Sequence, residues 1–131
     1  MDLDRIQTGV NQYIVSNNAL WDGLSTRANP VIDNGSVTAR PTIAWYRGSF
    51  QRCTLTANTT FAFAGPIDGL MYTLLINTGA GAFTGAWPST VKWIGAAAPT
   101  VTVTANRYDI MTFRFVKALN TYFGSFQQNY N

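Results

Sequence analysis

The sequence predicts an all-β domain, a small antiparallel sandwich or barrel, carrying an N-terminal helical or extended arm. Three observations predict it. From residue 43 onward apolar and polar residues alternate with a period of two, the period of a half-buried strand. Turn residues punctuate that region at roughly 8–12-residue spacing, as in sandwiches and barrels. The composition also favours strands and turns: Thr, Asn, Gly, Val and aromatics are abundant, while Glu is absent and Lys occurs only as Lys92 and Lys117. Strong helix formers for exposed faces are therefore scarce.

The first 25 residues differ from the rest. Leu3, Ile6, Val10, Tyr13, Asn17, Leu20 and Leu24 recur at alternating steps of three and four, a helical stripe. Gly9 and Asn17-Asn18 weaken a helix there, so an extended arm is the alternative. Residues 25–42 carry Pro30, Asn34-Gly35 and Pro41. Asn-Gly between Val31-Ile32 and Val37 predicts a linker or small hairpin, because both residues accept positive φ. The expected organisation is an anchoring arm and linker over 1–42 and a β-domain over 43–131.

Within the β-domain the expected strands are IAWYRGSF, RCTLT and TTFAFA, then LMYTLLI over 70–76 after the turn GPIDG. A Gly-rich connection, NTGAGAFTG, leads to Ala86-Trp87. STVKWIG over 89–95, TVTVT over 100–104 and DIMTFRFV over 109–116 follow. In the last, Ile110, Thr112, Arg114 and Val116 share one face, and Met111, Phe113 and Phe115 the other. Lys117 to Asn120 turn the chain into TYFGSF over 121–126. No internal repeat of 20–50 residues is evident.

Composition excludes much chemistry. The chain has 131 residues, 47% apolar and 11% charged, against the usual ~25% charged. It contains no His, so no His-based triad and no His-ligated metal is available. One cysteine, Cys53, permits no internal disulfide and reads as a small buried residue. The net charge is +3, but the nine basic residues are scattered, so no nucleic-acid arm is expected. No stretch reaches the ~18–20 apolar residues that span a bilayer, and the N-terminus lacks signal-peptide character. Synthesis in a cytoplasm, with no membrane partner, is expected.

Several motifs dissolve on inspection. Ser89-Thr90-Val91-Lys92 fits S-x-x-K, but that chemistry needs a helix, and here Pro88 and β-branched residues flank it. Residues 79–85 lack the G-x-G-x-x-G spacing and the following Lys of a phosphate loop. Asn58-Thr59-Thr60 is a sequon without a secretory context. Asp33 and Asp68 read as turn residues, and nothing pairs Asp68 with Asp109 as glycosidase carboxylates. No catalytic, cofactor or metal site is expected. The aromatics are the suggestive set. Trp87 and Trp93 read as core, while Tyr46, Tyr108, Tyr122 and Tyr130 are candidates for an interface or ligand surface, since tyrosines anchor interfaces and stack on sugars.

A run of landmarks occupies residues 52–131. Asn58-Thr59-Thr60 follows a strand; Gly65-Pro66 and Gly69 precede Tyr72. Trp87-Pro88-Ser89 is followed by Val91-Lys92-Trp93, and Ala98-Pro99-Thr100 by Thr104-Ala105-Asn106. Asp109-Ile110 and Phe113 come next, and the last hairpin ends in Tyr122, Gly124 and Asn129. In this order the segment resembles a β-domain found at the C-terminal ends of bacteriophage tail-fibre and other virion appendage proteins. It departs where family members often carry Trp-Pro-Gly-Gly, having Trp93-Ile94-Gly95-Ala96, and at the tip turn Lys117-Ala118-Leu119-Asn120.

The resemblance implies a non-enzymatic virion structural protein that forms a homotrimer. Low charge and many aromatics suit such a packed oligomer. With no long stalk, the expectation is a capsid-attached decoration or head-fibre protein that aids host adsorption, assembled on the particle surface. Its partners would be its own copies, a major capsid or tail protein, and a host surface glycan. Leu3, Ile6, Val10, Tyr13 and Leu20 would anchor the arm. The alternatives are a tail-fibre tip that recognises host polysaccharide and a free carbohydrate-binding module.

Overall fold

Short alternating segments broken by Pro, Gly and Asn can pair with neighbours on either side, and this chain winds them into stacked parallel strands. The computed structural model describes residues 30–131, and residues Val31–Asn131 form one compact unit. The unit is all-β: among the described residues there are strands and short 3₁₀ turns, and no α-helix. The expected N-terminal stripe, with Leu3, Ile6, Val10, Tyr13 and Leu20, lies outside the described residues.

The strands are β1 (Val31–Val37), β2 (Thr42–Ala44), β3 (Phe50–Leu55), β4 (Thr59–Thr60), β5 (Ala62–Ala64), β6 (Met71–Asn77), β7 (Gly85–Ala86), β8 (Val91–Trp93), β9 (Tyr108–Val116) and β10 (Thr121–Tyr130). Six form one sheet in the order β1-β3-β6-β9-β10-β8. Its pairs β1–β3, β3–β6 and β8–β10 are parallel, whereas β9 runs antiparallel to both β6 and β10. Two small parallel ribbons, β2–β5 and β4–β7, complete the unit.

The parallel register reveals a winding. Val31 pairs with Phe50 and Phe50 with Thr73, steps of 19 and 23 residues. Thr42 pairs with Ala62, a step of 20, and Thr59 with Gly85, a step of 26. Successive turns of the chain therefore lie on one another as a short coil, and the antiparallel β9–β10 hairpin flanks its last long strand. The sequence showed no repeat because the step is unequal and the side chains at equivalent positions differ. β1 corrects a second expectation. Asn34-Gly35 is no hairpin turn but an irregularity inside β1, where the register shifts between Asp33 and Ser36. Asn34 is held by its neighbours: its Nδ2 donates to Gln51 Oε1 (3.1 Å), and Arg47 Nη1 donates to its Oδ1 (3.0 Å).

TVTVT also departs from expectation, forming no strand. Its backbone bonds elsewhere: Thr102 N–H donates to Asp109 Oδ2 (2.7 Å), and the carbonyl of Val103 accepts from Ala82 N–H (2.8 Å). The expected first strand is likewise split, with a 3₁₀ turn at Trp45–Arg47 between β2 and β3.

The core lies on the inner face of the large sheet. Cys53 and Leu55 of β3, Tyr72, Leu74 and Ile76 of β6, and Met111 and Phe113 of β9 are all at most 3% exposed. Ile43, Trp45 and Phe61 close over them from the small ribbons and turns. Phe113 is the hub, with ring centroids 4.9 Å from Phe63, 5.6 Å from Trp93 and 6.1 Å from Trp45. Trp87 stacks on Phe61 at 5.1 Å, as its expected core role requires. Trp45 Nε1–H is buried with no partner among the described residues.

Candidate functional site

The alternation of β6, β9 and β10 aims one set of side chains at the core and the other outward. The outer set forms rows across the sheet. Asp33, Arg52, Leu75, Ile110 and Gln127 are successive cross-strand partners, and so are Val31, Phe50, Thr73, Thr112 and Ser125. A third row runs through Ser36, Thr54, Asn77, Tyr108 and Tyr130. On this face Arg52 Nη2 donates to Asp33 Oδ2 at 2.7 Å. That guanidinium, with the Gly35 N–H, holds the Asp33 carboxyl below its usual range.

The four candidate tyrosines separate. Tyr108 and Tyr130 are cross-strand neighbours at one end of the outer face, and Tyr130 Oη donates to Gln127 Oε1 at 2.7 Å. Beside them Arg107 Nη1 donates to Asn129 Oδ1 at 3.3 Å. Tyr46 is the most exposed, at 73%, with its ring lying over Gly65 on the 3₁₀ turn after β2. Tyr122 is a correction: it is 4% exposed and packed against Phe115 and Phe63. Burial pushes its phenol up to about 12. On β10 it has inward parity, which its flanking residues did not announce.

The carboxylates do not converge. Asp109 is fully buried at the start of β9 and accepts from Thr102 N, Thr102 Oγ1, Asn129 N and Gln128 Nε2. Asp68 lies near the other end of that strand, where its Oδ1 accepts from Lys117 N–H at 2.9 Å. A nine-residue strand between them spans about 25 Å, far beyond the ~5–9.5 Å of a glycosidase pair. Asp109 is instead a clasp joining the 97–106 loop to the end of β10, a role the sequence did not suggest. Gln51, fully buried, is a second unforeseen polar anchor, donating to the carbonyls of Ala44 and Gly48. Both were missed because a polar residue in a strand pattern does not reveal which loop it will tie.

The remaining motifs are structural. Gly79 and Gly81 have φ of +62° and +82°, and a Cβ at either would strike backbone, of Leu55 and of Val103–Ala105 respectively. Backbone packing is what this glycine-rich segment provides. Ser89 sits in a turn before β8, with no hydrogen bond to Lys92 among the described residues. Both line a shallow cleft of about 370 Å³ with Trp93. A second cleft of about 280 Å³ lies between Ile94 and Phe126. Cys53 is buried, and desolvation raises its thiol to about 12. Among the described residues no three Cys, Asp or Glu side chains gather to hold a metal ion, and no helix is long and apolar enough to cross a membrane.

No protein-family model, curated protein or solved structure matches the chain.

Proposed function

We propose that the chain is a bacteriophage virion structural protein, a small homotrimer attached to the capsid as a decoration or head-fibre protein. It displays the β-unit and acts through binding rather than catalysis. The observation that carries this reading is the pairing of an aromatic-cored all-β unit with a second, partly apolar sheet face on a chain only 11% charged. Such a surface suits a protein whose working state is an assembly. The order of landmarks over residues 52–131 supports the virion assignment. Asp68 and Asp109 stand at opposite ends of β9 and offer no support for a paired-carboxylate glycosidase.

The exposed Tyr108–Tyr130 pair favours a second reading, a tail-fibre tip that binds host polysaccharide. Neighbouring tyrosines with Asn129 and Gln127 amides at hand offer the stacking and hydrogen bonds that sugars need. One experiment separates these. Particles from cells that produce the chain are labelled with gold-conjugated antibody and viewed by electron microscopy. Label over the head supports the decoration reading. Label at the tail end supports the tip. Unlabelled particles overturn both.

A further inference from the structure

Parallel strands rarely leave a face open to water, because their ladders are usually sandwiched between covering layers. In this unit β1, β3 and β6 are parallel, and only their inner face meets the aromatic core. The outer face carries Val31, Phe50, Met71, Leu75, Ile110 and Phe123. Val31, Met71 and Phe123 are 49%, 49% and 46% exposed. They are joined across the strands: Val31 faces Phe50, Leu75 faces Ile110, and Met71 and Phe123 flank Arg114. Between them lie Thr73, Thr112 and Ser125, which hydrogen-bond readily and carry no charge.

The charge pattern says what can cover this face. Asp33 and Arg52 neutralise one another, and the two exposed cations Arg114 and Lys92 flank Phe123 along one edge row. The central rows, Val31-Phe50-Thr73-Thr112-Ser125 and Leu75-Ile110-Gln127, carry no unpaired charge, so other copies can meet this face there, with the cationic row kept at the rim. A strongly acidic or basic partner would find nothing to pair with in those central rows. Size agrees. Five strands spaced ~4.8 Å apart and about six residues long project on the order of 400–500 Å². The accessible area of a corrugated face is larger than its projection. With Tyr108 and Tyr130 at its margin, it is a substantial share of the ~800 Å² that each partner gives a standard interface.

We infer that the outer face of the six-stranded sheet is the self-association surface, covered by other copies of this chain around the shared axis. The inference rests on the homotrimer in the proposed function and adds its geometry. The tyrosine pair then sits at the interface rim.

The test measures the absolute mass of the full-length protein by light scattering behind a sizing column, with far-UV circular dichroism as the folding control. Ser125→Arg places a charge on an exposed position of the face, and Ile110→Arg places one at its centre. Val103→Arg is the control: Val103 is 61% exposed, on the loop that Asp109 ties over the inner face. The expected result is a wild type and a control at three times the 14.4 kDa chain mass, and a threefold fall for both face variants with strand content retained. Should Ile110→Arg unfold, Ser125→Arg decides alone. Folded face variants that keep the wild-type multiple overturn this surface and leave self-assembly standing, as would be seen if another part of the same chain covered the face. A wild type of single-chain mass at every concentration overturns the homotrimer and this surface together.

Discussion

Asp109 accepts four hydrogen bonds that tie the 97–106 loop to the end of β10. Its carboxyl group gathers donors from Thr102, Gln128 and Asn129, and so polar a group, fully buried, needs such company. Asp109→Asn exchanges an all-acceptor group for one with its own donors, and should cost about 2–4 kcal/mol of unfolding free energy in urea. Asp68→Asn, at an exposed turn, should cost under about 1 kcal/mol. Equal losses for the two would contradict the clasp. The buried acids set an alkaline limit. Cys53 and Tyr122 both ionise near 12 in the folded state, above their ordinary 9.0 and 10.0, because burial disfavours their anions. Folded pKa values above the unfolded ones mean that this stability is full below pH 9 and is lost as pH rises toward 12. Urea midpoints should hold steady from pH 7 to 9 and fall above it. Asp33 works the other way. Its lowered carboxyl contributes above its ordinary 3.8 and fades as pH falls through its folded value, a small effect for so exposed a group. The burial of Cys53 and the turn role of Asp33 were legible in the sequence, whereas the burial of Tyr122 and the clasp at Asp109 were not. Asp109 looked like one more isolated acid, because its four bonds come from residues that only folding brings near.

At the scale of elements, the strands most visible beforehand were those with long alternation. DIMTFRFV became β9 with the expected two faces, and LMYTLLI became β6. The turn at Lys117–Asn120 also stands, with Asn120 in the left-handed region at φ 46°. What alternation cannot encode is the partner. The stacking of β1 on β3 and β3 on β6 depends on connections of unequal length, so the parallel winding was invisible. TVTVT shows the converse: perfect alternation, yet its Thr102 N–H goes to Asp109, and its Val103 and Thr104 carbonyls accept from Ala82 N–H and Thr78 Oγ1 rather than from a ladder. The tightness of that packing makes a prediction. Gly79→Ala would drive a methyl into the Leu55 carbonyl as well as strain a positive φ. It should lower the urea unfolding free energy by about 2–4 kcal/mol. Gly35→Ala, at φ +65° with nothing near its Cβ position, should cost only about 1–2 kcal/mol. At the hub of the inner layer, Phe113→Ala should cost about 3–5 kcal/mol. A Phe113→Ala loss near that of Gly35→Ala would mean the rings around it do not form the core.

Among the described residues, the six-stranded sheet has an apolar inner face covered by its own unit and a partly apolar outer face. Composition foreshadowed this, since 47% apolar residues with 11% charged leave little to dress a surface. Which face would stay open was not foreseeable, because it depends on the side from which Ile43, Trp45 and Phe61 close. Self-assembly is the claim from which the virion reading and the sheet interface both descend. Native mass spectrometry of the wild-type chain addresses it most directly, since it counts subunits without assuming a shape. The account predicts three chains per particle, persisting on dilution into the nanomolar range. A single-chain species at all concentrations would contradict it.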